Sequence, residues 1–544
     1  MGEGGPAWSA DADRVGSSAS VGSGRPEGAS DQTEPLRQRS TLIKAALRLL
    51  RPLSLVTAST ILLWPGVGLG PATDAAVFVL AGSRIRDGVM PYRDLWDSKP
   101  PGSYLLNALG QTVLPWLDPW LVAWLLTAIF AGASVVLIDY LLRRRLSSGR
   151  SWAWSLVACV AIASYPVAAG GGLTESYAVL PLLAALYGVA VWPRKWAATA
   201  AVGCLLGCAC LISLQCLPAA ACLGVAAVWS GGQLRSRVGR ALALMAGALP
   251  VPLIVLGWLL IGGAAGDAVD QIVVFNLADK EWGGQLLLLL PIALLLMGCF
   301  AVPSGVEAAT LLRRPQSGDR VDWVCVAWSA TYAAYIVYQG RIFLHFLILI
   351  GPPLVLLASL GVEELVAWIR SPKPSVRRFA IGLVTAAALS LLISASATVQ
   401  LSAIVLSQAG TKERLENTTE AWIRSATPDS ATMFVWGGEA ALYLGAERTP
   451  ADLVVDNFPI VAVRYWTADR TEALLQRWQA SPPGIIVEGS STTPLFRPAA
   501  SGSGAGGPDT VAPLRDFVRA NYRLRASFGD SEQFTDIYIL TSGS

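Results

Sequence analysis

Between residues 53 and 400 the sequence is a succession of almost charge-free apolar runs. Each is close to the roughly 20 residues that a helix needs to cross a bilayer. They fall at about 53–70, 119–142, 151–169, 176–192, 241–262, 285–302, 321–338, 343–361 and 379–400. The stretch 197–229 is too long for one helix and suits two shorter passes, turning near Pro218. A chain in hydrocarbon must satisfy its backbone hydrogen bonds internally, so runs of this length become helices. Composition agrees, with 53% hydrophobic and only 15% charged residues, against about 25% charged in an average soluble protein. The expected fold is an α-helical polytopic membrane protein of about 11 crossings.

Orientation follows from Lys and Arg in the short loops. Arg37 to Arg51, "RRRLSSGR" (143–150), "PRK" (193–195), "RSRVGR" (235–240), "RRPQSGDR" (313–320) and "RSPKPSVRR" (370–378) belong in the cytosol. Alternation then places 71–100, 170–175, 263–284, 339–342 and everything after about 400 outside. Residues 101–117 are apolar, but a crossing there would carry "RRRLSSGR" outward. A re-entrant or peripheral path is therefore expected. Residues 1–40, rich in Gly, Ser and acidic side chains at the start, read as a disordered cytosolic tail. The transmembrane part spans 41–402, with a first outer loop at 71–100. Residues 403–544 have ordinary polarity and alternate helical and strand-like stretches. They are expected to form a small extracytoplasmic α/β domain with a flexible insert at 490–508.

The net charge of +3 is small and scattered among loops, so nucleic acid is not an expected partner. All eight cysteines fall inside apolar segments. With one histidine in the chain and no zinc-type spacing, they read as small helix-packing residues.

A charge in mid-bilayer costs about 2.5–3.5 kcal/mol on insertion scales, so the charges that remain need a use. On the outer side they gather in three places: Asp74 with the stretch Arg84 to Lys99, "GGGLTESY" with Glu175, and "YQGRIFLHF" with Arg341 and His345. Together they offer carboxylates and cations. Transfer of a group from a phosphate needs both, a base for the incoming nucleophile and cations for the departing phosphate.

The stretch from Asp74 through "FVLAGSRIRDGVMPYRDLWDSKPPGSYLL" resembles the first outer loop of GT-C glycosyltransferases, the aminoarabinose transferase and protein O-mannosyltransferase group. The shared pattern is Asp74, then Gly88, Pro91, Tyr92, Asp94, Lys99, Pro100 and Pro101. "GGGLTESYAVLPLLAAL", "DQIVVFNLADKEW" and "GRIFLHFLILIGPPLVLLA" are weaker likenesses. Two departures stand out: Ala75 where relatives carry an acidic residue, and Glu175 where they often carry Asp. The resemblance implies transfer of a hexose or pentose from a polyprenyl-phosphate donor to a glycan, lipid or protein acceptor of the cell envelope. It implies Asp74 as general base, Lys99 and Arg341 on the lipid phosphate with Arg93 as a third cation, and Glu175 and His345 near phosphate or sugar. Asp94 and Asp97 would shape the loop or touch the sugar. No cofactor or metal is required.

Plainer roles stand beside these. Asp74 suits a cap for the following helix, Lys99 an interfacial snorkel, and His345 a packed aromatic. Rival classes are a transporter or flippase, a ligase of lipid-linked glycans, and a scaffold for the C-terminal domain. Transporters tend to show internal repeats and mid-membrane charges, whereas here the polar clusters sit at helix ends without a repeat. The composition suggests a bacterial plasma membrane.

Overall fold

A computed structural model of the chain describes residues 49–192, 195–229, 233–278, 284–316, 318–340, 343–462, 464–489, 510–529 and 534–541. The tail 1–40 and the insert 490–508 lie outside the described residues.

Each of the apolar runs falls on a helix. Six helices among the described residues are long and apolar enough to cross a membrane: Leu49–Gly68, Pro119–Arg143, Thr174–Val191, Leu234–Ile261, Leu344–Ile369 and Pro374–Ile393. Trp196–Ile212 and Leu214–Val228 are apolar but shorter, and meet at a 3-10 turn, Leu214–Cys216. Leu344–Ile369 lies at the centre, largely buried, and its Gly361 lets the backbone of Pro303 approach where a Cβ would collide. Small residues at such crossings are how helices pack when lipid supplies no hydrophobic drive between them. The helices Leu234–Ile261 and Pro374–Ile393 are peripheral and leave Ile254, Ile261, Leu391 and Leu392 exposed, as lipid-facing surfaces require.

Two of the basic loops, 143–150 and 313–320, meet at one end. Arg145 pairs with Asp319 and Asp322, and Arg150 with Glu363, so the basic loop after Pro119–Arg143 is tied to the start of Arg320–Gln339 and to the lower part of the central helix. Tyr335 lies thirteen residues beyond Asp322 on that same helix, about 20 Å along its axis, and belongs to the opposite end.

At that opposite end two short helices, Thr73–Arg86 and Gly102–Val113, pack side by side. Gly82 sits where a Cβ would lie 2.6 Å from the Asn107 Cβ. Ser83 Oγ donates to Gln111 Oε1 at 2.8 Å, and Gln111 Nε2 donates to the Val79 carbonyl at 3.1 Å. At 12 residues Gly102–Val113 is about 18 Å long, well short of the roughly 30 Å hydrocarbon core. The apolar segment 101–117 therefore contains a packed helix too short to span.

No break falls at residue 402, because one helix runs from Pro374 to Ala426. Beyond it a four-stranded sheet forms from β1 (Met433–Trp436), β2 (Ile485–Glu488), β3 (Tyr522–Gly529) and β4 (Phe534–Leu540), in the order β1-β2-β4-β3. β1 and β2 are parallel, while β4 runs antiparallel to both β2 and β3. Phe434, Trp436, Trp478, Leu514 and Val518 make its core against the amphipathic helices Ala468–Ala480 and Ala512–Asn521.

Candidate active site

The loop between the two short helices is built around Lys99. Gly88, at φ 87°, ends the helix Thr73–Arg86 in a left-handed turn closed by Val89 N–H to the Arg84 carbonyl. Tyr92 takes φ 69°, a conformation that costs a non-glycine residue about 1–3 kcal/mol and needs support from its surroundings. The support is visible. Its N–H donates to the Leu95 carbonyl at 2.7 Å, and its hydroxyl donates to the Lys99 carbonyl at 2.8 Å. Tyr104 donates to that same carbonyl at 3.0 Å, and the Lys99 N–H donates to Asp97 Oδ1 at 3.1 Å. Pro101 then turns the chain into the next helix as its N-cap, at φ −78° and ψ 0°.

A second segment staples the loop from outside. Gln271 accepts the Asp97 N–H at 3.1 Å and donates to the Tyr92 carbonyl at 2.7 Å, while Asn276 donates to the Ser98 carbonyl at 2.9 Å. Gln271 lies on one π-helical turn, Asp270–Val274, of the kind often found at functional sites. This gives the described part of "DQIVVFNLADKEW", residues 270–278, a physical role, and Gln271 and Asn276 are residues that sequence reasoning did not single out.

Lys99 is half-buried, and the carboxylates of Glu175, Asp74 and Asp97 lie within electrostatic reach of its ammonium. Burial pulls the pKa of that ammonium down, but the three carboxylates outweigh it and hold it above its ordinary value. Burial pushes the Asp97 carboxyl up to about 6, against the pull of Lys99. Its Oδ2 has no hydrogen-bond partner among the described residues. Asp74, in the first turn of Thr73–Arg86, is exposed. Glu175 opens Thr174–Val191 and is 2% exposed.

Three glycines bring Glu175 here. Gly170, Gly171 and Gly172 all take positive φ, and Gly172 lies where a Cβ would come within 2.9 Å of the Ala75 Cβ. The loop before Glu175 thus passes directly beneath the residue after Asp74. Ala75 is fully buried in that contact, so the acidic residue of relatives has no room in this chain.

The remaining expected residues are placed elsewhere. Arg93 pairs with Asp94 at 2.6 Å and donates to the Gly262 carbonyl at 2.9 Å. Both border an open cleft of about 500 Å³ against Asp452 and Arg477. Asp94 also accepts the Met90 N–H, which makes it a brace for the loop. His345, half-buried in the turn Leu344–Phe346, is stacked on Phe343 and edge-on to Phe346. Arg341 lies outside the described residues.

The segment after β1 adds groups that were not foreseen. Gly438 packs on Thr73, next to Asp74. Asp456 is buried within electrostatic reach of Asp97, Asp74 and Glu439, and burial first, then those carboxylates, pushes its carboxyl up to about 7. Among the described residues, no three His, Cys, Asp or Glu side chains are grouped to hold a metal ion.

The fold is similar to that of the aminoarabinose transferase ArnT of Cupriavidus metallidurans, solved bound to undecaprenyl phosphate. The TM-score is 0.53 at 14% identity, covering 89% of this chain and 97% of that one. The apo form of ArnT matches with the same TM-score and coverage at 13% identity. An oligosaccharyltransferase of Archaeoglobus fulgidus, solved with zinc and sulfate, matches at TM-score 0.45 and 12% identity over 89% of this chain and 72% of that one. No protein-family profile matches the sequence, and no curated protein sequence does.

Proposed function

We propose that this chain, a multi-pass membrane protein with the GT-C fold it shares with ArnT, moves a sugar from a polyprenyl-phosphate donor to an acceptor outside the membrane. In this reading the acceptor hydroxyl gives its proton to Asp74 as its oxygen attacks the anomeric carbon of the donor sugar. The bond from that carbon to the phosphate oxygen breaks, and its electron pair leaves with the polyprenyl phosphate. The departing phosphate gains negative charge, which Lys99 and Arg341 neutralise. Glu175 holds the sugar and His345 lies near the sugar or phosphate. Arg93 and Asp94 brace the loop that carries Lys99.

The observation that carries this reading is the meeting of Asp74 and Lys99 from either side of the first outer loop, one carboxylate exposed to an acceptor and one ammonium half-buried among carboxylates. A fixed cation in a partly dehydrated site stabilises developing charge far better than one in water. The reading needs no metal, so turnover is expected to survive a chelator. The N-terminus and basic loops face the cytosol of a bacterial plasma membrane, and the sheet after residue 426 stands outside. The acceptor is a glycan, lipid or protein of the cell envelope.

The test is purified protein in lipid with a panel of labelled polyprenyl-phosphate hexoses and pentoses, wild type beside Asp74→Asn. Turnover of a donor by wild type and its loss in the variant support the reading. Full activity in Asp74→Asn overturns the assignment of the base. No binding of any donor overturns the transferase.

A further inference from the structure

We propose that a chamber formed by Glu175, Gln215 and Tyr332 reads the donor's sugar, and that it accepts sugars with free hydroxyl or amino groups and rejects acidic ones. This rests on the donor reading given above. The three residues come from separate elements: the first turn of Thr174–Val191, the 3-10 turn Leu214–Cys216, and the helix Arg320–Gln339. The 3-10 turn packs against Thr174–Val191. Glu175 and Cys216, the chain neighbour of Gln215, both lie within electrostatic reach of the Tyr332 hydroxyl.

Glu175, Gln215 and Tyr332 are 2%, 7% and 0% exposed. Glu175 Oε1, Gln215 Oε1 and the Tyr332 hydroxyl nonetheless have no hydrogen-bond partner among the described residues. A buried polar group without a partner is costly, and most costly where lipid surrounds the protein. Three of them, on two elements that pack against Thr174–Val191 and on that helix itself, call for a polar ligand. Its chemistry follows from the atoms. Two are acceptor-only oxygens and the third is a hydroxyl that can donate or accept, so the ligand must bring O–H or N–H donors.

Position separates sugar from phosphate. Glu175 is within reach of Lys99, so the chamber adjoins the cation assigned to the phosphate, yet a phosphate inside it would face the Glu175 carboxylate. Tyr332 lies seven residues inside the helix end at Gln339, about 10 Å along the axis. The chamber is thus recessed from the mouth where Asp74 is exposed. A uronic acid would add a second carboxylate to this confined space, and like charges at short range disfavour binding.

The experiment measures binding of polyprenyl phosphate, polyprenyl-phosphate glucose and polyprenyl-phosphate glucuronate to the whole protein in lipid nanodiscs. Wild type is compared with Tyr332→Phe and Gln215→Met, each of which keeps side-chain volume. The expected result is glucose-lipid affinity lowered ~10-fold in each variant, with sugar-free polyprenyl phosphate bound as by wild type, and glucuronate lipid bound at least ~10-fold more weakly than glucose lipid by wild type. A merely structural role would weaken the sugar-free lipid equally, and that outcome overturns the proposal. Equal affinity for glucose and glucuronate lipids overturns its selectivity. Should wild type bind none of the three, the donor reading itself falls and the chamber with it.

Discussion

At the scale of single residues, the site is a small set of charges whose values depend on burial. Asp74→Asn should lower turnover by ~10²–10⁴-fold, the usual worth of a general base. An exposed first-turn carboxylate adds at most about 1 kcal/mol to its helix, so the melting temperature in detergent should hardly move. A large fall in both would make the Asp74 side chain a structural support rather than the base; it is not the cap of its helix, since Ala72 holds that position. Asp456 gives a different signature. Its carboxyl is pushed up to about 7 by burial and by Asp97, Asp74 and Glu439, while in the unfolded chain it titrates near its ordinary value. At pH 4 the folded form keeps its proton and pays little. As pH rises, the unfolded chain releases the proton first, so stability falls until about pH 7, by up to about 4 kcal/mol. Asp456→Asn should therefore raise the melting temperature at pH 8 and leave it nearly unchanged at pH 4; a pH-independent shift would argue against the buried carboxylate as the cause. Asp74, Lys99 and Glu175 were legible in the sequence because charges beside apolar runs stand out. Asp456, Gln271, Gln215 and Tyr332 were not. The first is one of many carboxylates in the C-terminal region, where charge is ordinary, and the others are uncharged side chains whose importance comes from which distant elements they meet.

At the scale of elements, apolar length was enough to find the helices, because the bilayer sets that length. The end of the last long helix was not legible. Its polarity changes near residue 402, yet from 401 to 426 the sequence has no proline and only Gly410 as a weak breaker. Nothing stops the helix where its surroundings change, and it continues to Ala426. The path of 101–117 was also open, since an apolar face reads alike against lipid and against protein. Its helix packs on Thr73–Arg86 through Gly82, where an added Cβ would meet Asn107 and the Ala108 backbone. Gly82→Leu should force this pair apart, with a cost of about 1–3 kcal/mol, and move Asp74 relative to Lys99. The expected result is a lowered melting temperature with a loss of turnover larger than the loss of folded protein. Preserved turnover per folded molecule would show that the pair does not set the spacing of the two groups.

At the scale of the whole molecule, the sheet beyond residue 426 and the membrane helices meet over the site, and one contact joins them to the Lys99 loop. Arg470 holds Asp270 through two bonds of 3.0 Å, Tyr465 donates to Asp270 Oδ2 at 2.6 Å, and Arg470 stacks 4.0 Å over the Tyr465 ring. Trp96 of the loop donates to the Tyr465 hydroxyl at 3.3 Å and packs with Phe275 and Tyr465. Asp270 is the neighbour of Gln271, which bonds both the Asp97 N–H and the Tyr92 carbonyl. A strain on this latch is therefore transmitted to the residue next but one to Lys99. Both ionic side chains are about a third exposed, so their coupling should be modest, about 1 kcal/mol, measurable as a double-mutant cycle of Asp270→Asn and Arg470→Met on melting temperature. The functional effect should exceed the energetic one. Arg470→Met is expected to raise the donor KM several-fold through the displaced loop, and adding Asp270→Asn should raise it little further, because one broken latch leaves nothing for the second change to break. Unchanged KM in both single variants would make the sheet a passenger on the membrane enzyme, whereas additive losses would mean that Asp270 and Arg470 act on the loop by separate routes.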